Sequence, residues 1–151
     1  VDLIDEKLEL AKNLGATHVI NAKEKNVINQ IKSISSSGVQ YSFECAGSEK
    51  TMELAYSILK RGGTAVSSGL PHPSKKIGIP HVDLVAHEKS VKGSFLGSCV
   101  PTRDIPAYIE MYKNGNLPVD KLISKNISLQ EINQGFDDLN SGETVRQIIT
   151  L

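Results

Sequence analysis

The strongest constraint on the fold of this chain is an alternation running through its first two-thirds, where short apolar runs are separated by amphipathic segments. Runs that short suit strands of a buried parallel sheet, and apolar residues spaced three to four apart suit the helices that cover one. After an opening strand stub that ends at Asp2, the pattern predicts a helix from Glu6 to Leu14 that stops at Gly15. A short strand at His18–Asn21 follows. Val27, Ile28, Ile31 and Ile34 mark one face of the next helix, which ends in the Ser35-Ser36-Ser37-Gly38 loop. Val39–Cys45 reads as a strand, Met52, Ala55, Tyr56 and Leu59 as a helical stripe closed by Gly62-Gly63, and Thr64–Ser68 as another strand.

Between Leu70 and Pro80 the period breaks at prolines and lysines, which predicts a surface loop. A helical turn at Val82–Ala86, a strand at Ser90–Leu96 and a helix at Pro101–Lys113 follow, with Ile105, Tyr108, Ile109 and Tyr112 on one helical stripe. Leu122–Ile127 is expected to be a strand, and Ser128-x-x-Glu131 a capping box opening the last helix. That helix is expected to bury Ile132, Phe136 and Leu139 and to close at Gly142, before a final strand at Val145–Leu151. The expected class is α/β: a Rossmann-like, doubly wound parallel sheet, lacking its first strand and glycine loop.

At 39% hydrophobic and 23% charged, the 151 residues have ordinary globular composition. Seventeen basic and seventeen acidic residues cancel, so no basic excess draws the chain to nucleic acid or a membrane surface. No apolar run nears the ~20 residues of a spanning helix. Cys45 and Cys99 lack CxxC spacing and read as reduced thiols, from which we expect a cytoplasmic protein. Because the chain opens on Val1 inside an apolar-then-acidic pattern, we expect it to be a piece of a longer polypeptide.

Ligands of parallel sheets sit beyond the carboxyl ends of the strands, which singles out Asp2, Ala46, Gly47, Gly69 and Leu70. A carboxylate at Asp2 can accept hydrogen bonds from ribose hydroxyls and repels a 2′-phosphate. A solvated acid at a strand end or a helix N-cap also explains Asp2, and methyltransferases use this position too. The glycine-rich loop that precedes such an acid by roughly twenty residues is not in the chain. Cys45-Ala46-Gly47 and Ser68-Gly69-Leu70-Pro71 put small residues after two consecutive strands, letting backbone approach a flat ligand. Cys45 reads as a small buried residue. Arg146 can meet a diphosphate in two-pronged fashion, or simply be a surface arginine. His18, His72, His81 and His87 have no metal-ligand spacing with each other or with the cysteines, and no catalytic constellation emerges.

Several ordered motifs carry a family resemblance. They are Val1-Asp2-x₄-Lys7-Leu8-Glu9-Leu10-Ala11, Leu14-Gly15-Ala16-Thr17, Gly38-Val39-x-Tyr41-x-Phe43-Glu44-x-Ala46-Gly47 and Arg61-Gly62-Gly63-Thr64. Gly69-Leu70-Pro71, Lys92-Gly93-Ser94 and Ile132-Asn133-x₂-Phe136-Asp137-x-Leu139-x₂-Gly142-x₃-Arg146 continue the series to the end of the chain. Together they resemble the C-terminal part of the zinc-dependent, medium-chain alcohol dehydrogenases, nearest the class III-like bacterial branch with its formaldehyde-adduct and aryl-alcohol enzymes.

The resemblance implies NAD as cofactor, with zinc in the intact parent, and an alcohol or aldehyde as small-molecule substrate. It implies Asp2 and Lys7 at the adenosine ribose, Cys45 and Ala46 near that ribose and the middle of the dinucleotide, and Ser68, Gly69 and Leu70 along the nicotinamide site. Backbone groups of Ser68, Ser94 and Leu96 would meet the carboxamide, and Arg146 the diphosphate. It further implies that residues 1–96 belong to the NAD-binding domain and 97–151 return to the catalytic domain. Homodimers or larger homo-oligomers are implied too, with contacts around residues 82–94. The family's zinc ligands have no counterpart among these residues, so the chain alone is expected to be inactive. Two other readings stay open: a zinc-free quinone- or enoyl-reductase-like relative using NADPH, against which Asp2 speaks, and a non-catalytic binding module or remnant.

Overall fold

The computed structural model describes residues 1–151. Their contacts divide the chain into two compact units, one of residues 22–99 and one of residues 1–21 with 100–151. The two segments expected from the family layout, 1–96 and 97–151, do not coincide with these units, since the first 21 residues group with the C-terminal ones.

The unit of residues 22–99 is a parallel sheet in the order β1-β2-β3, formed by Val39–Glu44, Leu59–Ser67 and Ser90–Gly93. Helix α2 (Val27–Ile34) precedes β1, α3 (Glu49–Ser57) joins β1 to β2, and α4 (His81–Ala86) leads into β3. Met52 and Tyr56 on α3 pack with Leu59 and Ala65 on β2, with Val39, Ile79 and Leu84 around them. Burying side chains the size of Met52 and Leu59 contributes about 1.5–3 kcal/mol each, so this cluster anchors α3 on the sheet.

The helix expected to run through Leu59 ends at Ser57, and β2 starts at Leu59 itself. Leu59 stands opposite Val39, but the next paired residue, Thr64, stands opposite Tyr41, so β2 bulges between them. Gly62 takes φ +71° inside that bulge, a conformation that strains residues with a Cβ. Gly62-Gly63 therefore marks a bulge within a strand, not a helix end. Strand β3 also stops earlier than the pattern suggested: Leu96 lies in a tight turn at φ +48°, beyond the ladder.

In the other unit, α1 (Asp5–Asn13), α5 (Pro101–Lys113) and α6 (Ile132–Ser141) accompany a parallel pair of strands, β4 (Ile123–Ser128) and β5 (Arg146–Thr150). The strands expected at Val1–Asp2 and His18–Asn21 reduce to one isolated parallel bridge, Asp2 to Asn21. With no longer ladder to join, neither segment becomes a strand. The capping box is present: the Ser128 amide and hydroxyl donate to Glu131 Oε2 at 2.8 and 2.7 Å.

The burial expected of α6 is corrected. Phe136 is 62% and Leu139 43% exposed, while Gly135 and Asp138 are the buried positions. Gly135 lies against Ile127 and Gln147, and Asp138 is held by an ion pair with Lys125 and a 2.8 Å bond from Gln134. The buried face of α6 is thus a small residue and a paired acid, which an apolar count cannot identify.

Candidate functional site

At the carboxyl ends of β1 and β2, one residue organises the backbone. Glu44 ends β1 with 3% of its surface exposed. Its carbonyl accepts from the amides of Ser68 (2.8 Å) and Gly69 (3.1 Å), just past the end of β2. Its carboxylate Oε1 accepts from the amides of Ala46 and Gly47, both at 2.7 Å, and from the Thr51 hydroxyl at 2.8 Å. Oε2 faces the Ser67 hydroxyl at 3.4 Å. Burial alone pushes this carboxyl's pKa up, but the bonds from Thr51 and from the amides of Ala46, Gly47 and Ser48 outweigh it and hold the pKa below the ordinary value. Glu44 is therefore ionised at neutral pH.

The two turns bound to Glu44 lie close together. A Cβ on Gly69 would sit 2.2 Å from the Gly47 amide nitrogen and 2.8 Å from Glu44 Oε2. A Cβ on Gly47 would come within 3.1 Å of the Leu70 carbonyl. Only glycine fits at position 69, and the edge is smooth backbone as a result. The Ser94 amide donates to the Ser67 carbonyl at 2.9 Å, carrying the same edge across to β3.

Of the residues expected to line a nucleotide here, Ala46, Ser68, Gly69, Leu70 and Ser94 thus lie in turns at one sheet end. Leu70 and Leu96 are exposed. Cys45 is exposed as well, contrary to the buried role expected of it. Glu44 itself was visible in the sequence only as one letter of a motif. An acid amid apolar strand residues was the available signal, since a buried carboxylate must be hydrogen-bonded.

In the other unit, Asp2 Oδ1 accepts from the amides of Leu3 (2.7 Å) and Ile4 (3.0 Å), closing a turn at the start of α1. Lys7 lines an open cleft of about 410 Å³ with Ile4, Leu10, Ser141, Gly142 and Val145. Asp2 and Arg146 are not among its lining residues, although each lies within two positions of one. Arg146 begins β5 and is exposed, its amide facing the Ser124 hydroxyl at 3.4 Å. No cluster of three metal-ligating side chains exists, so these residues do not fit a zinc site. No helix is long and apolar enough to cross a membrane.

A parallel sheet whose strand ends carry small, close-packed turns is the architecture of the nucleotide-binding α/β proteins. Residues 1–114 match the family model for the zinc-binding dehydrogenases, and the chain belongs to that family. It is 32% identical, over 99% of its length, to S-(hydroxymethyl)glutathione dehydrogenase of Paracoccus denitrificans, covering 42% of that protein. Its fold matches 41% of benzyl alcohol dehydrogenase from Acinetobacter calcoaceticus with a TM-score of 0.94 and 33% identity over 99% of this chain. A zinc-binding dehydrogenase of Sinorhizobium meliloti, solved bound to NADP, matches with a TM-score of 0.87 and 26% identity, over 99% of this chain and 43% of that one. The chain spans about two fifths of the length of the curated relatives it matches, among them alcohol dehydrogenase 1 of Pisum sativum at 34% identity over all of this chain.

Proposed function

We propose that these residues form the cofactor-binding part of an NAD-dependent zinc alcohol dehydrogenase, which moves a hydride between an alcohol, or a hydroxymethyl-thiol adduct, and NAD. The observation that carries this reading is the edge at Ala46, Gly47, Ser68 and Gly69, where side chains are small or absent and a flat ligand can lie on backbone. Membership of the zinc-binding dehydrogenases supports it. The nicotinamide supplies the hydride chemistry when bound. In this reading the chain's own residues bind and orient. Asp2 and Lys7 hold the adenosine ribose, and Arg146 meets the diphosphate. Cys45 and Ala46 lie near the adenosine ribose and the middle of the dinucleotide, Ser68, Gly69 and Leu70 line the nicotinamide site, and Ser68, Ser94 and Leu96 present backbone groups to the carboxamide.

Zinc, in this reading, serves the full enzyme through ligands outside these residues. A cytoplasmic homo-oligomer touching itself around residues 82–94 belongs to the same proposal, as does the division into a nucleotide-binding segment, 1–96, and a catalytic-domain segment, 97–151.

The relative solved with NADP favours a second reading, an NADP-dependent enzyme. Asp2 separates the two, because a carboxylate at the ribose opposes a 2′-phosphate. Titrating NADH and NADPH into the full polypeptide that carries these residues, unaltered and as Asp2→Ser, is the test. We expect NADH to bind more tightly before the change, and the preference to shrink on the order of tenfold or more after it. Equal preference in both proteins removes Asp2 from the site.

A further inference from the structure

The pair of amides at the start of α3 has an occupant that belongs to the chain. Backbone N–H groups converging beside a helix N-terminus are a ready site for an anion, and in nucleotide-binding folds a phosphate often takes it. Here the Ala46 and Gly47 amides, joined by the Thr51 hydroxyl, converge on Glu44 Oε1 within 2.7 to 2.8 Å. The same residue holds the next turn by its carbonyl, through the Ser68 and Gly69 amides, and by Oε2, through Ser67. One buried residue therefore couples, by side chain and carbonyl together, two consecutive turns that nearly touch.

We propose that Glu44 is a positioning residue for the dinucleotide: its carboxylate, a built-in anion, fills the amide nest before α3 and fixes the backbone of Ala46, while its Oε2 contact with Ser67 and its carbonyl tie that nest to Ser68 for the uncharged, nicotinamide-side half of the ligand. The proposal rests on the dinucleotide-binding function argued above. It has two consequences. These amides are spoken for, so this edge does not bind the diphosphate. What the edge offers instead is carbonyl oxygens and close, flat backbone, which suit a ribose and an aromatic carboxamide.

Glu44→Gln keeps the shape and removes the charge, presenting an NH₂ group to a set of donors. Thr51→Val keeps the carboxylate and removes one donor, and serves as the milder variant should Glu44→Gln fail to fold. Both are compared with the unaltered full polypeptide by titration with NADH and with ADP, which shares the adenosine and diphosphate but lacks the nicotinamide and its ribose. We expect Glu44→Gln to weaken NADH by up to about a hundredfold, as misplacement of a positioned ligand does, while ADP loses far less. Thr51→Val is expected to shift NADH in the same direction by less. In Glu44→Ala, added formate should refill the nest and recover NADH affinity.

NADH binding by Glu44→Gln at the unaltered affinity overturns the proposal. So does an equal loss for NADH and ADP, because a merely structural carboxylate would loosen both. Should Glu44→Gln not fold, unchanged NADH affinity in Thr51→Val overturns it as well. If the unaltered protein binds neither ligand, the dinucleotide reading falls and takes this inference with it. Binding of NADH by the unaltered protein together with an insensitive Glu44 sinks this inference alone.

Discussion

Gly69 has the least room to change of any residue at the sheet end. Its missing side chain is replaced by the Gly47 amide, 2.2 Å from where a Cβ would stand, with Glu44 Oε2 at 2.8 Å. Backbone cannot move aside as a flexible side chain can, so Gly69→Ala forces the two turns apart. Overpacking of this kind costs about 1–3 kcal/mol. We expect the urea midpoint of Gly69→Ala to fall accordingly and NADH affinity to fall with it. An unchanged midpoint means that the turns are not in contact in solution. The strand-end glycines are legible in the sequence as punctuation, but the partner that makes one of them obligatory is not. Gly47 and Gly69 are 22 positions apart, and their meeting follows from the register that sets Glu44 beside Ser67. The buried carboxylate was hidden for the same reason, since its donors come from three separate stretches: the turn after β1, Thr51 on α3 and Ser67 on β2.

Among the elements, α4 is the shortest helix and has no buried residue, yet it is firmly attached. Lys89, just before β3, extends a side chain that is only 7% exposed, with its ammonium 2.8 Å from Asp83 Oδ2 and 4.8 Å from the centre of the Tyr56 ring. His87 Nδ1 meets the other Asp83 oxygen at 2.5 Å. The Lys89 ammonium first, and then the His87 ring, draw the Asp83 carboxyl from its ordinary 3.8 down to about 2, against the opposing effect of burial. A carboxyl with a depressed folded-state pKa adds stability above the ordinary value and loses it as pH falls through the lower one. The thermal midpoint of the unaltered protein should therefore exceed that of Asp83→Asn near pH 5 to 7, with the gap closing between about pH 4 and pH 2. A gap that stays constant over this range assigns the carboxylate no part in holding α4.

Elements with an unbroken period were the ones the sequence revealed: α5 spans Pro101–Lys113 as its pattern indicated. Leu59 misled because its i+7 spacing continued the α3 stripe, and it is buried in the same cluster, reached from the strand instead of the helix. Phe136 and Leu139 misled in the opposite sense. Apolar spacing marks a helix face, but says nothing of whether residues 1–151 cover it.

Over the molecule as a whole, the fold class and the family were visible in the alternation of elements and in motif order, because each is a property of many residues at once. The grouping of residues 1–21 with 100–151 was not, since contacts between distant stretches leave no local period. With no metal-ligating cluster here, binding and turnover should respond differently to metal removal in the full polypeptide. We expect chelation of zinc to abolish alcohol oxidation while NADH affinity, measured by titration, stays within a small factor of its starting value. Parallel loss of both ties the metal to cofactor binding and contradicts a cofactor site built by these residues.

The division at residues 21–22 and 99–100 also orders events on the ribosome. The stretch from 22 to 99 is continuous, so its strands and the helix between them can assemble as soon as they emerge. Residues 1–21 group with residues 100–151, so that unit closes only after residue 100 has been synthesised, across a span whose closure carries an entropic cost that grows slowly with length. Until then Ile4, which sits beside Gly142 in the finished structure, travels without that neighbour.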